Sequence, residues 1–200
     1  MQDRRSVTQT LDAYTEPEIW EWKLRVGVAK AKRVSEEALK LGKEIDLMIQ
    51  QDLQGKGLDR ESEVPEIQNA IEGWNKFKEK HPEYARGIEC IQAELVQGNL
   101  VGHPDIIHLK EVADIKTSKW LVIRPKWVVQ ASRYAVMAKK DRASIILLSK
   151  VAPTFLYVWW EGEMVEYFGN KVFAAFETIF EYRGVASEMV RGYMEKEMVG

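Results

Sequence analysis

Asp105, Asp114 and Lys116 are the residues of this chain whose types and spacing best suit chemistry. They fall in Gly102-His-Pro-Asp105 and Ala113-Asp114-Ile-Lys116. Asp114 and Lys116 are two apart on a predicted strand, so their side chains leave the same face. Asp105 closes the preceding strand of a predicted hairpin and comes within reach of a cation shared with Asp114. Two hard carboxylate oxygens, completed by waters and a phosphate, suit Mg²⁺, with Mn²⁺ expected to substitute. Such an ion polarises a phosphoryl group and lowers the pKa of a bound water. Lys116 would hold that water and offset charge in the transition state. The chemistry is phosphodiester hydrolysis; the plain alternative is a surface hairpin with a salt bridge. The same spacing recurs at Asp12 and Glu21-Trp22-Lys23. That copy enters a predicted helix, where residues two apart face different directions, and it lacks the hairpin.

Gln130 and Tyr134 lie four apart on the next predicted helix, on one face. By themselves they read better as a helix with a half-buried tyrosine. In the order Gly-x-x-Asp, Asp-x-Lys, Gln-x-x-x-Tyr, the chain resembles the RecB-like branch of the PD-(D/E)xK nucleases. Trp22-Lys-Leu-Arg-Val-Gly27 and Ala38-Leu-Lys-Leu-Gly42-Lys-Glu-Ile-Asp46 resemble a helical segment of the phage and mitochondrial genome-maintenance exonucleases of that branch. In those proteins a His four residues after the Gly helps bind metal, and Asp46 stands in its place. A carboxylate can replace an imidazole and suits Mg²⁺ better; the departure could equally mark a degenerate corner. Glu94 matches an acidic position that supports the site in the family.

The resemblance covers about Trp22 to Tyr134. It implies a restriction-endonuclease-like core and metal ligation by Asp46, Asp105, Asp114 and Ile115, the last having only its backbone to offer. It implies catalytic roles for Asp105, Asp114, Lys116, Gln130 and Tyr134. The implied activity is DNA end-processing, an exonuclease acting on single strands or flaps in replication, recombination or repair, of phage or mobile-element character. Relatives in CRISPR adaptation carry a four-cysteine iron–sulfur cluster, which Cys90 alone cannot build. A structure-specific endonuclease of the same fold and a catalytically silent nucleic-acid-binding module remain as alternatives.

The elements that must position these residues read as α/β: a mixed central sheet flanked by helices, with an N-terminal helical part. Residues 1–14 read as a flexible arm, 15–82 as helices shaping a DNA channel, and 83–200 as the core with C-terminal helices. The first helix starts at Pro17, with Trp20, Leu24, Val28 and Ala31 at helical spacing, a break near Val34-Ser35 and a loop over Gln51–Ser62. A second helix runs from Pro65 to about Lys80. Strands are expected over Ile88–Val96, Leu100–Ile107 and Glu111–Lys116, a helix from Pro125 to about Lys139, then strands at Ala143–Leu148, Thr154–Trp160 and Met164–Phe168. The remainder reads as helical, divided at Gly184, with Met189, Met194 and Met198 packing on a neighbouring helix.

Seven tryptophans and 46% hydrophobic residues supply a core, and no apolar run is long enough to span a bilayer. The single cysteine and the absence of an apolar leader point to the cytoplasm. The formal net charge is −2, but residues 116–142 and 21–43 together carry +11, leaving −13 elsewhere. One face can therefore meet a polyanion. Lys119, Trp120, Arg124, Lys126 and Arg133 are the expected DNA contacts, the aromatic ring stacking on bases while the cations hold the backbone. Trp127 shares a helical stripe with Gln130 and Tyr134 and is expected to be buried. Trp159 and Trp160 read as core. His103 lies beside the site without an assigned role, and His81 and His108 read as loop residues.

Overall fold

The computed structural model describes residues 4–57 and 62–183. Arg5–Ser6 forms a short strand (β1), and Ser6 caps the helix Val7–Asp12 (α1). The cap is reciprocal: Ser6 Oγ accepts from Gln9 N at 3.0 Å, and Gln9 Oε1 accepts from Ser6 N at 2.9 Å. Val7 and Leu11, four apart, are fully buried. The expected flexible arm is thus corrected over 5–12, because these two side chains dock the helix on the core. The helix Pro17–Val26 (α2) ends at Gly27, whose φ of +84° suits glycine, and Val28–Leu53 (α3) follows. The break falls there rather than at Val34-Ser35, and α3 runs on through the first residues of the expected loop. Ala31, Ile45, Met48 and Ile49 are its buried residues. Ile45, Met48 and Ile49 pack with Ile67, Ala70, Trp74 and Phe77 of Pro65–Lys80 (α4). Trp20, Leu24 and Val28 stay exposed; of the expected stripe only Ala31 is buried.

A 3₁₀ turn at Tyr84–Gly87 leads to Ile88–Ile91 (β2), Leu95–Gln97 (β3), Leu100–Gly102 (β4), Ile106–His108 (β5) and Val112–Ser118 (β6). Two of the expected strands are each broken in two. One breaks at Gln92, with φ +53°, the other at His103-Pro104-Asp105, where proline cannot donate to a ladder. Pro125–Met137 (α5) starts at its proline as expected and leads to Arg142–Ser149 (β7), parallel to β6, and then to antiparallel Phe155–Glu161 (β8). The main sheet has the order β2-β5-β6-β7-β8, and β1-β4-β3 form a second, smaller sheet. The result is mixed α/β, with helices on both faces and an N-terminal helical part.

The two faces of β7 each bury apolar side chains, which places it at the centre. Ala143, Ile145 and Leu147 pack with Val7, Leu11, Val129 and Tyr134, while Ile146 and Leu148 pack with α3 and α4. Each of the buried Val, Leu and Ile side chains among them contributes about 1.5–3 kcal/mol. The expected strand at Met164–Phe168 is helical instead. Gly162, at φ +62°, ends β8, and Glu163–Glu166 (α6) widens into a π turn at Tyr167–Val172 and continues helical through 183. Val165 and Phe173 enter the core at helical spacing, and Gly169 lies so close to α5 that a Cβ would stand 2.7 Å from Ser132 O. Trp160 is buried and donates to Ser132 Oγ at 2.8 Å, whereas Trp159 is 49% exposed with Arg142 over its ring. Adjacent strand residues face opposite ways, so both could not be core. Gly184, Met189, Met194 and Met198 lie outside the described residues.

Candidate active site

Pairing of Ile106 with Ala113 and Ile107 with Val112 carries Asp105 opposite Asp114 across β5 and β6. Asp105 sits at the entry to β5, in the break made by Pro104, and not at the end of the strand before it. Its Oδ2 accepts from Ile115 N at 2.6 Å and its Oδ1 from Gln92 Nε2 at 2.9 Å. Gln92 also donates its own N–H to Asp105 O at 3.0 Å. This double clamp uses a left-handed backbone at Gln92, a conformation costing a non-glycine residue about 1–2 kcal/mol. Asp114 is 2% exposed, and Lys116 Nζ stands 2.5 Å from its Oδ2. That oxygen is buried without a well-directed hydrogen bond.

Burial, then the neighbouring Asp114, raises the Asp105 carboxyl well above the usual carboxylate range, against Lys116 and the Ile115 amide. Burial also raises Asp46; the Gln50 amide opposes it at 2.8 Å and Asp114 adds to it. Lys116 is pulled down by burial, but Asp114 and Asp105 outweigh this and hold its ammonium above the ordinary value. Three carboxyl groups that act on one another thus share one lysine. Three carboxyl groups against one ammonium call for a further counter-ion, and their hard oxygen donors fit Mg²⁺. Among the described residues no three His, Cys, Asp or Glu side chains stand together as a ready metal cage. Asp105 and Asp114 form the pair, and Asp46 acts on them from α3.

Gln130 and Tyr134 are both buried, and Gln130 Nε2 donates to Tyr134 Oη and to Thr8 Oγ1, each at 3.0 Å. Burial, then Asp114, raises the Tyr134 hydroxyl above its ordinary pKa. The Tyr134 ring lies against Gly102: a Cβ there would stand 2.9 Å from ring carbons Cδ1 and Cε1. Gly102 is therefore required by close approach. Thr8 belongs to the segment first read as an arm.

A cleft of about 1050 Å³ opens between α2, α3 and the carboxyl end of β6, lined among others by Trp22, Asp46, Lys116, Trp120, Arg124 and Lys150. Asp105 and Asp114 are linked to its floor through Ile115 N and Lys116. Trp120 is 75% exposed at its rim. Arg124 lies 3.9 Å from Glu16 and over the partly buried Trp127 ring at 5.3 Å, and Lys126 pairs with Asp12. Lys119 is exposed beside Trp120.

Two expected residues stand elsewhere. Arg133 is turned toward Gln97 Oε1 at 2.8 Å and Asn170 Oδ1 at 2.9 Å, over Phe173, so it braces the C-terminal helix and does not line the cleft. Glu94 is exposed and faces Arg4 at 3.6 Å; the residue that supports Asp105 is Gln92. His81 packs among Phe77, Phe155 and Tyr157, His108 stacks on Tyr84, and His103 is exposed. Glu21 and Lys23 of the second spacing match lie on α2, on different sides of a helix.

No protein-family model matches the sequence, and no curated protein does. Among solved structures, the chain is similar to the protein SSO0001, at 12% identity over 83% of this chain and 73% of that one, with a TM-score of 0.45. It is similar to an alkaline exonuclease from Laribacter hongkongensis, at 12% identity over 94% of each chain and a TM-score of 0.43. A phage-related exonuclease from Haemophilus somnus 129PT is similar at 12% identity over 74% of this chain and 82% of that one, with a TM-score of 0.39. Likenesses at this level carry no weight for function, which rests on the site itself.

Proposed function

We propose that the chain is a Mg²⁺-dependent deoxyribonuclease of the PD-(D/E)xK type, in its RecB-like branch, hydrolysing phosphodiesters at DNA ends. Single strands or flaps met in replication, recombination or repair are the proposed substrates. The carrying observation is the half-buried Asp105 set against Lys116 and the buried Asp114, joined to a cleft lined by cations and tryptophans. When bound, Mg²⁺ would be held by Asp105, Asp114 and the Ile115 carbonyl, with Asp46 facing them, and would supply phosphate polarisation and an activated water. Lys116 stays protonated at neutral pH, so it donates to oxygen and offsets developing charge. Gln92 and the Ile115 amide hold Asp105 in one rotamer. Gln130 and Thr8 hold the Tyr134 hydroxyl beside Asp114. Trp120 stacks on bases while Arg124 and Lys126 meet phosphates, releasing Glu16 and Asp12.

The test is cleavage of 5′-labelled and 3′-labelled single-stranded DNA in Mg²⁺ or EDTA, beside Asp114→Ala. Metal-dependent product lost in a folded Asp114→Ala variant supports the site; undiminished cleavage by that variant overturns it. A covalently closed circular strand left whole separates an exonuclease from an endonuclease. The hydrogen bond of Asp46 to Gln50, with no three-acid cage among the described residues, favours one other reading, a silent nucleic-acid-binding module. It predicts salt-sensitive DNA binding with no turnover in Mg²⁺ or Mn²⁺.

A further inference from the structure

Among the described residues Lys150 is the only buried lysine or arginine, at 7% exposed. It lies just past the end of β7 and lines the cleft that also holds Lys116. Lys116 has a carboxylate 2.5 Å away. Among the described residues Lys150 has no such partner: its Nζ donates to Ala38 O at 3.3 Å, Glu66 acts on it only from farther off, and Lys119 repels it. An ammonium has three protons to donate, and a buried one without a counter-charge is unfavourable.

The backbone holds Lys150 in place despite that cost. Its N–H donates to Ser118 O at 2.9 Å, and its carbonyl accepts from Asn69 Nδ2 at 3.2 Å. Ser149 Oγ takes the amides of Val151 at 3.2 Å and Ala152 at 3.3 Å, fixing the bend that follows. Ser118 ends β6, which runs parallel to β7. Lys119 and Lys150 therefore emerge together outside the carboxyl ends of two parallel strands, where open α/β sheets take their ligands. Burial lowers the Lys150 pKa, as a desolvated cation lacking an anion requires.

We propose that Lys150, with Lys119 beside it, is a phosphate-binding residue of the cleft, holding a backbone phosphate of the nucleic-acid strand away from the reacting bond. The proposal rests on the nuclease reading and adds to it a strand path past the ends of β6 and β7. The residue acts on binding, while Lys116 acts on the chemical step.

The experiment measures anisotropy of a labelled single-stranded oligonucleotide in EDTA, from about 50 to 200 mM salt, for the whole protein, Lys150→Gln and Lys150→Arg. Loss of one phosphate contact should lower the slope of log affinity against log salt by about 0.7 in Lys150→Gln, and Lys150→Arg should restore it. In Mg²⁺, Lys150→Gln should raise KM and leave kcat within about twofold, as loss of uniform binding does. If Lys150 only braces α3 through Ala38, Lys150→Gln lowers the melting temperature and leaves the slope alone, which overturns the proposal. A parent protein that cleaves DNA with an unchanged slope in the variant removes this proposal and spares the nuclease. A parent protein that neither binds nor cleaves removes both.

Discussion

Gly102→Ala tests whether the Tyr134 ring is locked beside the acids by contact and not by chance. The new Cβ would stand 2.9 Å from Tyr134 Cδ1 and Cε1 and 3.3 Å from Met137 Sδ, while ordinary contact begins at 3.4 Å. The ring must retreat by the difference between 2.9 and 3.4 Å, about 0.5 Å. It has little room to do so, since Tyr134 is buried and its hydroxyl is bonded to Gln130. Overpacking of this kind costs about 1–3 kcal/mol. For a domain of this length each kcal/mol lowers the melting temperature by about 2–4 °C, giving a fall of about 2–12 °C. Misplacement of 1 Å near reacting groups costs up to about 100-fold, so half of that predicts about tenfold slower cleavage. Thermal unfolding by circular dichroism and initial rates on a labelled oligonucleotide read the two effects. Adding Tyr134→Leu removes the clash, so the double variant should lose less stability than the two single losses added together. Additive losses, or a Gly102→Ala protein within about 0.5 kcal/mol of the parent, would refute the contact.

Asp105 and Asp46 hold protons more tightly when folded than when unfolded. Stability in EDTA should therefore fall as pH rises from the ordinary carboxylate range through their raised values. Over that window Mg²⁺ should raise the melting temperature by a growing margin, because ligation needs both groups ionised; a metal-induced shift that does not change with pH would count against the pair as ligands. Glu111 is buried on β6's amino-terminal side and accepts from Ser144 Oγ at 2.7 Å and from Tyr157 Oη at 2.9 Å. Glu111→Ala leaves the buried Ser144 hydroxyl unpaired and takes a partner from the half-buried Tyr157 hydroxyl, a loss of about 1–3 kcal/mol. Five residue steps along the strand, about 16 Å, separate it from Lys116, so the folded fraction should cleave at the parent rate; a matching loss of rate would tie this cluster to the site.

The juxtaposition of Asp105, Asp114 and Lys116 was legible because its geometry is local. Strand alternation alone places Asp114 and Lys116 on one face, and a short connection brings Asp105 alongside. The Gln130–Tyr134 pair was legible for the same reason, through helical periodicity. Thr8, Gln92 and Lys150 were not, since each acts through an approach that no periodicity encodes. Thr8 reaches Gln130 across 122 residues and Lys150 reaches Ala38 across 112. Ser6-Val-Thr-Gln9 has the capping-box pattern that marks the start of α1. Arg133 was misplaced because a basic residue on a helix shows its charge in the sequence but not its side; Gln97 and Asn170 decide that. Met164–Phe168 was misassigned because a short apolar run fits both periods, and Gly169 packing on α5 selected the helix.

The two ends of the cleft leave unbalanced charge of opposite sign. Around β6 at Asp114, three carboxyl groups share Lys116, and at the carboxyl end of the same strand the buried Lys150, repelled by the exposed Lys119, has no ion-pair partner among the described residues. Neither imbalance favours the folded chain alone, because buried charge left without a partner costs stability that packing must offset. One occupant relieves both: a cation at the acids and an anion at the lysines. A polyanion bridging a divalent metal has that pattern, and a small neutral substrate does not. Neutralising one end should then help the other, so oligonucleotide and Mg²⁺ should each tighten the binding of the other. Measured in an Asp→Asn variant of the pair, that coupling should weaken, because the acids that link the two charges are gone.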